Sequence, residues 1–225
     1  MPKRTKKVKE LPLSGSEHVF RLRPWTDKGP YYNNCYAYAV HDYKTFRIHK
    51  SIPGDVSGLS SIPHTYTHCK GLAKRVVSDN PGKVYQCKNG DRCKKGFYKI
   101  FMVVAPTNKF GNSTGDFHFY KQHGYVYYKV QNGDTCRSIS EFFKIPYCRV
   151  QKNTPLIPGK KILLKVNLFS HKRGWGTGPL LTDACGKMIK DPTKSCRNYS
   201  HNYSKVCSAF CVRNKGIRVG PKSPK

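Results

Sequence analysis

The sequence predicts an α+β fold, and three observations predict it. Its apolar runs are strand-sized, its helix starts are short and capped, and residues 127–166 follow a strand–helix–helix–strand (βααβ) order. The best apolar run, Ile100-Phe101-Met102-Val103-Val104-Ala105, suits a buried strand and is far below membrane-spanning length. With 37% hydrophobic and 12% aromatic residues in 225, a packed core is within reach.

Taken in order, residues 1–23 read as a basic arm and 213–225 as a basic tail punctuated by Gly216, Gly220, Pro221 and Pro224. Asn33-Asn34-Cys35-Tyr36-Ala37-Tyr38-Ala39-Val40 reads as a helix start, with Asn34 as cap. Residues 50–96 are loop-rich, broken by Pro53-Gly54, Asn80-Pro81-Gly82 and Asn89-Gly90. Phe97–Ala105 and Asp116–Lys121 are strands joined by a Gly- and Asn-rich turn. Tyr128–Val130 is a further short strand. Asp134 or Thr135 then caps a helix with Ile139, Phe142 and Phe143 on one face. A second short helix is predicted over about Tyr147–Lys152, and Lys161–Val166 closes the module.

Charge is the strongest bulk signal. Lys and Arg total 42 against 12 acidic residues, a formal +30 that predicts a polyanionic neighbour, either nucleic acid or an anionic membrane surface. Lys3, Arg4, Lys6, Lys7 and Lys9 are the candidate contacts. Along the chain, aromatics are not interleaved with Lys/Arg in the manner of a nucleic-acid platform, so a nucleic-acid-binding role explains the charge alone. The basic start is followed by no apolar stretch, which argues against a secretory signal.

Ten cysteines lack the repeated C-x2-C rhythm of structural zinc sites, so disulfides are expected and no metal or cofactor is. Cys87–Cys93, around Asn89-Gly90, and Cys136–Cys148, at two helix starts, are the candidate local pairs. Ten thiols also pair off evenly, which favours a bridged Cys35.

Two resemblances sharpen this reading. Tyr128-x-Val130-x-x-Gly133-Asp134-Thr135, then Ile139-x-x-x-Phe143, then Asn153-x-Pro155-x-Ile157-Pro158-Gly159-x-x-Ile162-x-Leu164 resembles a LysM domain over about 127–166. The resemblance implies a groove for N-acetylglucosamine-containing glycans, lined by Gly133, Asp134, Thr135, Pro155, Leu156 and Ile157. The flanks (Asn33-Asn34-Cys35-Tyr36-x-Tyr38-Ala39, Asp116-x-His118-x-Tyr120, Ser170-His171-Lys172-x-Gly174) resemble a family with a Cys–His papain-like (NlpC/P60-type) fold. That resemblance implies Cys35 as nucleophile, His118 as base and His171 as its orienting partner. Phe119 and Lys121 stand where that family shows Trp and Arg.

The expected architecture is therefore a papain-like core, 24–124 plus 167–212, with a LysM module at 125–166 inserted in a surface loop. In composition the chain resembles the basic, cysteine-rich minor capsid proteins of large DNA viruses. A structural virion protein with an unused hydrolase site, contacting other virion proteins, a polyanionic surface or a glycan, unites charge, cysteines and start. A LysM-targeted cysteine hydrolase of cell-wall peptide or amide bonds, secreted or wall-associated, is the alternative.

Overall fold

The computed structural model describes residues 10–44, 50–59, 68–106, 115–146 and 155–220. Lys3, Arg4, Lys6, Lys7, Lys9, Cys148 and the predicted second helix of the module lie outside them. The architecture is α+β. Strands β1 (Val84–Cys87), β2 (Phe97–Ala105), β3 (Asp116–Lys129), β4 (Lys161–Lys172), β5 (Pro179–Leu180) and β6 (Lys205–Arg213) form one antiparallel sheet in the order β1-β6-β2-β3-β4-β5. Helices α1 (Cys35–Ala39) and α2 (Cys69–Ser78) cover one face, and α3 (Cys136–Phe143) covers the outer end of the β3–β4 hairpin.

The apolar run of β2 is explained by its place between β6 and β3, where all nine residues are buried. Ile100, Met102 and Val104 pack under α1 and α2 with Tyr36, Leu72 and Val76. Phe101, Val103 and Ala105 pack on the other face against Ile189 and Tyr203 of the irregular segment before β6. Each large apolar side chain buried this way contributes about 2 kcal/mol.

β3 and β4 set the layout. β3 is 14 residues long and β4 is 12, and they pair from Tyr120↔His171 to Lys129↔Lys161. A bulge between His123 and Tyr125 divides the hairpin. Before it both faces are buried; beyond it residues alternate, with Val126, Ile162, Leu164 and Val166 packed on Ile139 and Phe143 of α3. The expected boundaries near 124 and 166 thus fall inside continuous strands. The outer parts of these strands, Tyr125–Lys129 and Lys161–Val166, extend the core hairpin.

Local signals explain the helices. Asn34 accepts from the Ala37 N–H at 3.1 Å and caps α1. Thr135 and Ser138 form a reciprocal capping box that starts α3. Lys144, in left-handed conformation at φ 53°, ends it. Phe142 departs from expectation: it is 59% exposed, while Ile139 and Phe143 face the core.

Other expectations are corrected too. Residues 50–96 contain α2 and β1, whose apolar residues are few and set among lysines. The described part of the tail is docked: Ile217 and Val219 are buried, Val219 N–H donates to Asp42, and Asn80 bonds both ways to Arg218. The described part of the N-terminal arm is docked too, with Phe20 bridged to Val126 and Ser14 bonded to the Phe97 carbonyl.

Cys93 pairs with Cys211, not Cys87. Cys87 keeps a free thiol because the partner offered to Cys93 by β6 closes the sheet edge instead of a local turn. Cys136 is likewise a free thiol, and Cys148, its expected partner, lies outside the described residues. Two further bridges, Cys69–Cys207 and Cys185–Cys196, bring the bonded cysteines to six among the described residues. The register skips Cys207 between Ser208 and Val206, and this bulge turns its side chain to the α2 face, where Cys69 waits.

Replacing Cys69 and Cys207 together by Ala opens a bridge that spans 138 residues. The expected cost is about 3–5 kcal/mol in guanidinium unfolding. A loss below about 1 kcal/mol would mean that α2 is held by packing alone.

Candidate active site

The unpaired edge of β3 builds the site. Pairing with β4 begins only at Tyr120, so the backbone of Phe117–Phe119 is open on that side. Cys35, the first residue of α1, fills this edge: its thiol donates to the Phe117 carbonyl at 3.7 Å, and the Phe119 N–H points at its sulfur. It is buried and unbridged, contrary to the expectation drawn from the even cysteine count. Burial dominates its electrostatics and pushes the thiol up to about 12, despite Lys50 nearby. The resting group is a thiol.

His118 and His171 meet as the motifs imply. His118 Nε2 and His171 Nδ1 are 2.8 Å apart. The proton positions follow from the ends of the chain of bonds. The Thr182 carbonyl, 3.0 Å from His171 Nε2, can only accept, so that nitrogen carries the proton. His171 Nδ1 then accepts from His118 Nε2–H, and His118 Nδ1 is left with a lone pair. Burial, reinforced by His171, Lys50 and Arg173, holds His118 well below its ordinary 6.5. Burial also lowers His171, to about 4. Both rings are neutral at pH 7.

Cys35 and His118 line a common cavity of about 250 Å3 with Lys50, Asp116, Arg173 and Trp175. An adjoining cavity of about 390 Å3 shares His118, Arg173 and Tyr203 and adds Tyr199 and Ser200. Asp116 is held by Lys50 and by the Tyr203 hydroxyl at 2.8 Å. Lys172, buried beside His171, donates to the carbonyls of Tyr31, Asn33 and Gly174 at 2.5–2.7 Å. It thereby ties the end of β4 to the segment entering α1, and so fixes His171 relative to Cys35.

Arg173 and Trp175 escaped the sequence reading although they adjoin Ser170-His171-Lys172. Tyr199 and Tyr203 lie in a segment without periodicity and carry no sequence signal for the site.

The module residues lie at the far end of the hairpin. Gly133 takes φ 81° in the turn, Asp134 accepts from Gln131 N–H and the Tyr128 hydroxyl, and Thr135 caps α3. Leu156 packs on the α3 core, while Pro155 and Ile157 are exposed. Each of these residues therefore has a structural role or a place on the surface at that end.

Among the described residues, Cys87, Cys93 and Cys211 are grouped closely enough to ligate a metal, their sulfurs within 4.8 Å. Two of the three are spent in a disulfide. No helix of the described residues is long and apolar enough to cross a membrane.

In comparison with known proteins, the chain matches no family model, no curated protein and no solved structure.

His118 and His171 also set an acid limit on the fold. Their folded-state pKa values lie below the ordinary 6.5, so the stability they confer is complete above about pH 6.5 and is lost as pH falls toward the folded values. Stability in urea is expected to drop by about 3 kcal/mol per pH unit below 6.5 from these two groups. In the double variant His118→Gln/His171→Gln that slope should flatten; an unchanged slope would place acid sensitivity elsewhere.

Proposed function

We propose that the protein is a cysteine hydrolase with a papain-like core, acting on peptide or amide bonds, and that its outer hairpin is a LysM-like targeting module for cell-wall glycan. The single observation that carries this reading is that Cys35 and His118 line one open cavity, with His171 hydrogen-bonded to His118. A purely structural core predicts a bridged Cys35 or a filled groove, and neither is present.

The reaction follows from the protonation pattern. Because Cys35 rests as a thiol and His118 as a neutral imidazole, nucleophile and base start uncharged. His118 Nδ1 takes the thiol proton as Sγ attacks the substrate carbonyl carbon. His171 holds the other ring nitrogen of His118, which keeps the lone pair available. The backbone N–H of Cys35, in the first turn of α1, has no helical partner and faces the developing oxyanion. His118 then passes its proton to the leaving amine nitrogen, giving a thioester. Water, deprotonated by His118, attacks the thioester carbon and frees Cys35 with its proton restored. With Lys50 paired to Asp116, Arg173 leaves the cavity cationic and favours a substrate with a carboxylate near the scissile bond.

Incubation of the full chain with peptidoglycan is expected to release fragments with new amino termini, read by amine labelling and mass spectrometry. Cys35→Ala should abolish release, and His118→Ala should lower the rate by about 10²–10⁴. A wild-type protein that releases nothing, and whose Cys35 is not acylated by a peptidyl acyloxymethyl ketone, would refute the proposal.

A further inference from the structure

The pairing of β3 with β4 creates an exposed surface that the linear sequence conceals. Beyond the bulge, one side of the hairpin packs on α3 and the other side is open. The open side presents three cross-strand rows: Tyr125 opposite Lys165, Tyr127 opposite Leu163, and Lys129 opposite Lys161. All six side chains are exposed, with Tyr125 at 40%, Tyr127 at 50% and Leu163 at 42%. None of the six is acidic.

Two features of this face call for a ligand. Lys129 and Lys161 stand directly opposite each other, a like-charge pairing that disfavours the hairpin until an anion screens it. Lysines on an outer strand can simply prevent edge-to-edge association. That role, however, is undone by the bare tyrosines and Leu163 beside them.

We infer that this face is a binding platform for single-stranded nucleic acid. Tyr125 and Tyr127 are alternate residues of one strand, so their Cα atoms stand about 6.7 Å apart. Bases stacked in a duplex are 3.4 Å apart. A strand lying along the platform is therefore unstacked, with one base on each ring. This is the way open sheets with aromatic residues hold single strands. Lys165 at one end and the Lys129–Lys161 pair at the other meet the flanking phosphates. A neutral glycan gains nothing from three lysines. A membrane surface would be met by larger apolar side chains than one leucine between two tyrosines.

The test uses the full chain and fluorescence anisotropy with a labelled 12-nucleotide single strand, as DNA and as RNA, between about 50 and 200 mM salt. The decisive variant, Tyr125→Ala/Tyr127→Ala, leaves the charge untouched, so a loss of affinity in it is not electrostatic. It is expected to weaken binding at least tenfold with an unchanged salt slope. Lys129→Gln/Lys161→Gln should reduce that slope by one to two units. Tyr43→Ala, an exposed tyrosine on another part of the molecule, should do nothing. Equal affinity in the double tyrosine variant would overturn the inference. So would a wild-type protein that prefers heparin, which would assign the face to a sulfated glycan, or one that binds only phosphatidylglycerol vesicles.

Discussion

The β3–β4 hairpin is the constraint on which the rest depends. Its inner half is buried on both sides and delivers His118 and His171 from neighbouring strands to within hydrogen-bonding distance. Its outer half has one covered face and one open face, and supports α3. A single bulge at His123–Tyr125 separates the two regimes. Because side chains alternate along each strand, the register that places His171 beside Tyr120 also decides which lysines and tyrosines share the open face. Site and platform are two consequences of one pairing.

Electrostatics separates the surface from the interior. A net +30 is tolerable where water and salt screen it, but a buried cation is costly. The interior answers in two ways. Lys172 is surrounded by three carbonyls, and Lys99 by those of Asn89 and Asp91. The buried histidines are kept neutral and chained: His123 Nδ1–H donates to the His18 carbonyl, so its Nε2 accepts from Ser170, which accepts in turn from Tyr38. The same logic leaves His118 with an unprotonated nitrogen in the cavity that the Cys35 thiol also lines. In the proposed reaction the thiol proton therefore moves during attack, not from a standing ion pair.

The disulfides act on the sheet from outside the site. Cys69–Cys207 and Cys93–Cys211 both seize β6, which sits between β1 and β2 although it comes last in the chain. Such non-local pairing closes a long loop, and covalent closure reduces the entropy of the unfolded chain. Cys185–Cys196 steadies the irregular segment that brings Thr182 and Tyr199 to His171. Cys35 takes no part in this framework.

The sequence by itself determined whatever rests on neighbours in the chain. Asn34 and Thr135 cap helices because their side chains reach N–H groups three residues on. The run Ile100–Ala105 is a buried strand because nothing in it tolerates water, and Cys35, His118 and His171 were legible as residues because each sits in a short motif. Tertiary structure alone decided what depends on partners far along the chain. Cys93 chose Cys211 over its neighbour Cys87, β6 entered the sheet between β1 and β2, and the tail buried Val219. The aromatic–basic face was invisible for the same reason: its tyrosines lie on one strand and two of its three lysines on another. Local propensity acts over a few residues, whereas register and bridge partner are set by which surfaces the whole chain can bury together.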